Sequence, residues 1–248
     1  MVSAARCRGR THDRCDDRFY FARKNGWTVA ALCDGAGSKA LSSEGAKIAS
    51  RTVCDLLPGM LESENPANTL RDIPLRIRMA ICLQYFPVLG LVNIGDFAGT
   101  LLFVARREEH DEWIVGHLGD GVVAAIDADG LPGAISHPQN GEFANVTYFY
   151  TDADADQRLR LFRVTGVRGV ALMSDGTAHS LYRPADRTVS GAIGRLFEWQ
   201  KTNGQRKGSS IIRQNISRLM LHKTEDDCSL ILVQNQADPT GPFCIKPL

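Results

Sequence analysis

No apolar run in this sequence of 248 residues approaches the ~18 that a membrane-spanning helix needs, so no membrane partner is expected. The first residues carry Arg6, Arg8, Arg10 and Arg14 but no apolar stretch behind them, and they do not read as a secretory signal. No CxxC pair occurs among the seven cysteines (7, 15, 33, 54, 82, 228 and 244), which argues against a zinc site or a disulfide framework and for a reducing, cytoplasmic setting. Charge of either sign is not in excess: the formal net charge is +1, so no global field draws the chain to nucleic acid. Repeats, low-complexity tracts and linker-like stretches are also missing. Residues 1–248 therefore read as one domain, with a polar, Pro-containing tail from about Gln236 at its periphery.

What is there alternates between two periods. Phe19–Ala22 and Trp27–Cys33 read as strands joined by Lys24-Asn25-Gly26, because Asn-Gly tolerates positive φ. Ala46, Ala49, Val53, Leu56 and Leu57 then recur at helical spacing, with Ser42 or Ser43 as N-cap and Pro58-Gly59 as a stop. Glu62–Asn68 reads as a loop. A second helix is expected from near Asp72 to Tyr85 on Ile73, Ile77, Ala80, Ile81 and Gln84, with Pro74 in its first turn, and Pro87–Phe97 as a connection. From Thr100, the runs 101–105, 113–118 and 122–126 read as consecutive antiparallel strands. Further strands are expected at Val146–Tyr150, Gly169–Ser174 and Cys228–Val233. Between the last two lie helical patterns on Val189, Ala192, Ile193 and Leu196 and on Ile212, Ile216, Leu219 and Met220. This order predicts an α+β fold with sheets inside and helices outside.

One detail recurs. Leu32-Cys33-Asp34-Gly35, Leu118-Gly119-Asp120-Gly121 and Met173-Ser174-Asp175-Gly176 each finish an apolar run with Asp-Gly, while Cys15-Asp16-Asp17 and Asp226-Asp227 stand immediately before apolar runs. Any one Asp-Gly is an ordinary turn. Several carboxylates meeting at one sheet edge would repel unless a cation neutralised them. All-oxygen ligation selects magnesium or manganese over zinc. Two such ions would activate water for in-line attack on a phosphate ester. His117, on an apolar strand, reads as a core histidine. Asp152-Ala153-Asp154-Ala155-Asp156 is not a calcium loop, since Gln157 and Arg163 replace the Gly and Glu it requires.

In order and spacing, Cys15-Asp16-Asp17, Asp34-Gly35-Ala36-Gly37-Ser38, Ala98-Gly99-Thr100, Gly116-His117-Leu118-Gly119-Asp120, Ser174-Asp175-Gly176 and Asp226-Asp227-Cys228-Ser229 resemble the metal-dependent PPM, or type 2C, serine/threonine protein phosphatases. The opening Gly9-Arg10-Thr11-His12 and Cys15-Asp16-Asp17 are similar to the bacterial branch. The resemblance implies a β-sandwich of two antiparallel sheets flanked by helices on both outer faces, with two Mg2+ or Mn2+ ions at one end. It implies that Asp34 bridges both ions with the Gly35 carbonyl beside it, that Asp175 and Asp226 hold the first ion, and that Asp17 holds the second. Asp34 and Asp175 are the implied catalytic carboxylates. Asp16, Asp120 and Asp227 are further candidates, Asp120 for a weak third ion. The implied partner is a phosphoprotein, with a cognate kinase acting in opposition.

Three departures bear on catalysis. Asp16-Asp17 replaces the usual Glu-Asp pair. His12, with Arg10 and Arg14 nearby, stands where many members have an Arg that grips phosphate bidentately. Ala36 follows Asp34-Gly35 where some members have a His acid, which leaves protonation of the leaving group to water or to His179. His12 and Arg10 are the phosphate-binding candidates. The alternative is a phosphatase-shaped module that binds or senses with little turnover.

Overall fold

The computed structural model describes residues 1–108, 110–139, 147–235 and 237–248. The chain runs β1 (Val2–Cys7), β2 (Arg18–Lys24), β3 (Trp27–Cys33), α1 (Ser42–Leu61), α2 (Pro66–Arg71), α3 (Ile73–Leu89), β4 (Leu101–Arg107), β5 (Glu112–Leu118), β6 (Val122–Asp127) and β7 (Pro132–Ser136). It continues with α4 (Ala155–Arg158), β8 (Arg160–Thr165), β9 (Val167–Met173), α5 (Asp175–Leu181), β10 (Tyr182–Arg183), β11 (Thr188–Val189), α6 (Ala192–Asn215), β12 (Cys228–Gln234) and β13 (Cys244–Pro247). One antiparallel sheet has the order β1-β12-β9-β6-β7, and the other β13-β8-β5-β4-β3-β2. β10 and β11 form a small separate ribbon.

Side-chain alternation explains the sandwich. On β3, Ala30 and Leu32 face the interior with Val104, Val123, Leu172 and Ile231 of other strands. Val29, Ala31 and Cys33 face outward beneath α1 and α3. Both faces are covered, so β3 reads as an unbroken apolar run rather than an alternating one. The other sheet is covered by α5 and α6, through Leu181, Ile193, Leu196, Phe197 and Ile212. The expected fold class is the one found.

Several local expectations change. α1 passes through Pro58 to Leu61, because a proline this near the end removes only the bond its N–H would make to Cys54. Leu56 is exposed rather than part of the buried stripe. The stretch read as a loop at Glu62–Asn68 contains α2, which starts at Pro66 with the Asn65 side chain accepting from Asn68 N at 3.3 Å. α3 extends through Pro87 to Leu89, and Gln84 on it is exposed. α6 takes up the late patterns from Ala192 across Gly204, whose φ is +76°, to Asn215, and a π-helical turn over Ile216–Met220 carries the rest; Val189 lies in β11 and Leu219 is exposed. Val146 lies outside the described residues, and Tyr148–Tyr150 form no strand. The tail supplies the edge strand β13, which pairs with β8.

The change that matters most for the site concerns β6. It does not pair with β5 but crosses to the other sheet and pairs with β9 and β7. Gly119, at φ +113°, makes that crossing, with the Thr100 side chain 2.5 Å from where a Cβ would be. Leu118-Gly119-Asp120-Gly121 is thus a bridge between the sheets, not a hairpin turn.

Candidate metal centre

Antiparallel pairing brings the acid-bearing strand ends together. β2 begins where β3 ends, with Arg18 opposite Cys33, which puts Asp17 beside Asp34. β12 begins where β9 ends, with Leu230 opposite Met173, which puts Asp226 beside Asp175. The β5–β6 crossing adds Asp120 from between the sheets. The result is a cleft of about 220 Å³ walled by Asp34, Asp120, Asp175 and Asp226, with Gly35–Ser38, Thr100, Thr147 and Phe149.

The Asp34 loop is held by its backbone. Thr100 N donates to the Asp34 carbonyl at 2.8 Å, Ala36 N donates to the Ala98 carbonyl at 3.0 Å, and Asp34 N donates to Thr100 Oγ1 at 3.3 Å. A Cβ on Gly35 would lie 2.9 Å from the Asp16 carbonyl oxygen, and one on Gly99 2.6 Å from that of Asp34, so neither position admits a side chain. Gly176 seats the other wall in the same way, 2.2 Å from the Asp227 carbonyl by the same measure. Gly176→Ala is expected to cost about 1–3 kcal/mol of stability through overpacking. Thermal unfolding in denaturant-free buffer checks this, and an unchanged midpoint would contradict the close approach.

The electrostatics of the cleft are those of crowded acids. Asp17 is fully buried, and neither carboxylate oxygen meets a hydrogen-bond donor in good geometry. Its pKa rises to about 6 through burial and the nearby charge of Asp227; the neighbouring Ser229, Asp34 and Ser174 side chains oppose the rise. Asp34 keeps a sliver of solvent access but is enclosed on nearly every side. Burial first, then the charges of Asp17 and Asp175, hold its carboxyl well above the usual range. Asp175 is pushed up to about 7 by burial and by Asp226, with smaller contributions from Asp120 and Asp17. Asp175 thus raises the cost of ionising Asp34 from the opposite wall of the cleft.

The remaining candidates separate by geometry. Asp227 is committed to the backbone: its oxygens accept from Gly9 N at 2.7 Å and Asp16 N at 2.5 Å, so it pins residues 9–16 against β12. Asp226 is the open member, 44% exposed and facing the cleft. Asp16 turns to Arg14, 2.8 Å from its Nε. Thr147 donates to Asp120 at 2.6 Å. His12 contacts Asp227 at 3.2 Å and lies 3.9 Å from Asp226. Arg10 is exposed, and among the described residues its side chain forms no ion pair. His117 is a core histidine as expected, bonded to Ser136 Oγ and the Gly119 carbonyl and pushed down to about 3 by burial. Asp152 accepts from Phe149 N at 2.8 Å, and Asp154 pairs with Arg158 at 2.6 Å.

Sequence reasoning missed two kinds of residue. Arg6 and Arg18 hold the Asp17 carbonyl at 2.5 and 2.8 Å, and no motif announced them. Tyr182 and Arg183 line, with the already named His179, an adjoining cavity of about 560 Å³ that shares Asp120 and Asp175 with the cleft.

Among the described residues, no three acids, histidines or cysteines already converge on one point as a finished ligand set. The donor set nevertheless fits a hard divalent cation. It consists of oxygens alone, both buried Asp17 oxygens lack a hydrogen-bond partner, and Asp34, Asp175 and Asp226 line one cleft.

A family model for protein phosphatase 2C matches residues 7–216. The chain belongs to the protein phosphatase 2C family. Serine/threonine-protein phosphatase 3 of Escherichia coli strain K12 is 31% identical over 149 residues, covering 58% of this chain and 57% of the relative, so the match spans little more than half of that protein. A bacterial serine phosphatase of known structure shares the fold at 16% identity and a TM-score of 0.68, over 96% of this chain and 99% of the other. The catalytic domain of the serine threonine protein phosphatase PstP, in complex with two manganese ions, does so at 16% and 0.66, over 97% and 98%. At such identities these likenesses establish the phosphatase 2C fold. No helix among the described residues is long and apolar enough to cross a membrane.

Proposed function

We propose that this protein hydrolyses phosphoserine and phosphothreonine on protein substrates at a two-ion Mg2+ or Mn2+ centre. The observation that carries the reading is the electrostatic coupling of Asp17, Asp34, Asp175 and Asp226, drawn from both sheets to one end of the sandwich. Asp34 would bridge the ions with the Gly35 carbonyl beside it, Asp175 and Asp226 would hold one, and Asp17 the other. Asp120, fixed by Thr147, is the candidate for a weak third. The bound ions would supply charge neutralisation and Lewis-acid activation of water. Asp16 and Asp227 act as braces.

The chain's own residues shape what the substrate meets. Among the described residues no arginine lines the cleft, and His12 is engaged with Asp227, so phosphate is gripped weakly by side chains. Ala36 donates no proton. His179, on the wall of the adjoining cavity that Asp175 also lines, is the candidate to protonate the leaving oxygen. The substrate is a phosphoprotein marked by an opposing kinase. Seven free cysteines fit a reducing, cytoplasmic setting.

The occupation of His12 also favours a second reading, a sensor that binds metal with little turnover. One assay separates the two: hydrolysis of p-nitrophenyl phosphate and a phosphothreonine peptide with manganese, with magnesium and with chelator. Release of phosphate that chelator abolishes and manganese restores is expected. Tight metal binding without release would establish the sensor instead.

A further inference from the structure

Helix α3 is apolar on two opposite faces. Ile73, Ile77 and Ile81 are buried against the body of the protein. The other side carries Leu75, Met79, Cys82, Leu83, Phe86 and Leu89, all open to solvent, with Leu83 76% and Phe86 61% exposed. A helix apolar all round is ordinarily buried all round. With Leu91, 84% exposed, just beyond its end, the stripe is a contiguous apolar surface of a kind that marks an interaction site on a soluble protein.

The spacing within the stripe specifies its occupant. Leu75, Met79, Cys82, Phe86 and Leu89 follow intervals of four, three, four and three, the a/d repeat by which one helix packs along another. We infer that the stripe is a self-association surface and that α3 of a second copy of this chain covers it. A two-fold axis lets the same stripe serve both copies, and Cys82, seven residues from either end, lies at its middle. Antiparallel packing about that axis is the favoured sense. The helix has no acidic residue, and Arg76 and Arg78 both lie in its first half, so a parallel pair would set like charges beside each other. The antiparallel pair sends them to opposite ends.

Sedimentation velocity of the full chain between about 2 and 200 μM tests this directly. A concentration-dependent dimer of twice 27.2 kDa is expected. Phe86→Glu and Met79→Glu should each weaken it about a hundredfold or more, without change in circular dichroism, because both positions are solvent-exposed in the single chain. Alkylation of Cys82 by N-ethylmaleimide, mapped by mass spectrometry, should slow as dimer forms. A wild-type chain that stays monomeric throughout, or variants that associate as it does, would overturn the proposal. A monomer that co-sediments with phosphatidylglycerol vesicles would overturn it too, by assigning the stripe and its flanking arginines to a lipid surface.

Discussion

Asp34→Ala is expected to lower manganese-dependent hydrolysis by about a thousandfold or more, since it removes the one carboxylate placed between both halves of the cluster. The fold should survive. The loop is held by the Asp34 carbonyl, the Ala36 amide and the Gly35–Gly99 bridge, all backbone features that alanine keeps. Removing a carboxylate from a crowd of four also relieves repulsion. Initial rates on p-nitrophenyl phosphate and on a phosphopeptide, beside a circular dichroism spectrum, measure both halves of the expectation. Wild-type turnover by the variant would sink the assignment of Asp34.

The second large effect is on stability. Asp175 rises from 3.8 to about 7 on folding. Between those values the folded protein keeps a proton that the unfolded chain has released, so the metal-free protein loses stability as pH rises from about 4 to 7. His117 works the other way. Lowered to about 3, it stays neutral in the fold while the unfolded chain protonates below about 6.5, so its contribution is lost as pH falls. A single pH curve mixes the two, and a comparison of variants separates them. In chelator at pH 8, Asp175→Asn should melt above the wild type by about 1–2 kcal/mol, discounted for the open rim of the cleft, and the gap should close toward pH 4. Manganese reverses the order. An ion at a hundred times its dissociation constant adds about 2.7 kcal/mol to the wild type and less to a variant that has lost a ligand. A variant that melts below the wild type in chelator at pH 8 would show that Asp175 is not a strained carboxylate.

The carboxylate cluster was legible because it is a strand-end property. Asp34, Asp120 and Asp175 each close an apolar run while Asp17 and Asp226 stand just before one, and antiparallel pairing sets the end of one strand beside the start of its neighbour. The resemblance put Asp226 ahead of Asp227, but what Asp227 does could not be read: the bonds from Gly9 N and Asp16 N show it as a brace of the backbone, with Asp226 the open acid. α2 and α5 were missed because short helices that start at Asn-Pro and Asp-Gly look like turns, and tertiary packing rather than propensity holds them. The β5–β6 crossing was read as a hairpin because Asp120-Gly121 suits either, and strand pairing is decided by partners far away in the chain. The exposed face of α3 escaped notice for a related reason. Its leucines were as compatible with a core as its isoleucines until the structure showed which face the body covers.

The central claim is that four aspartates form a metal centre, and calorimetric titration of manganese into chelator-stripped protein tests it most directly. Two ions per chain are expected for the wild type, with uptake impaired in Asp34→Ala. No stoichiometric uptake by the wild type would contradict the claim and reduce the Asp-Gly pairs to turns.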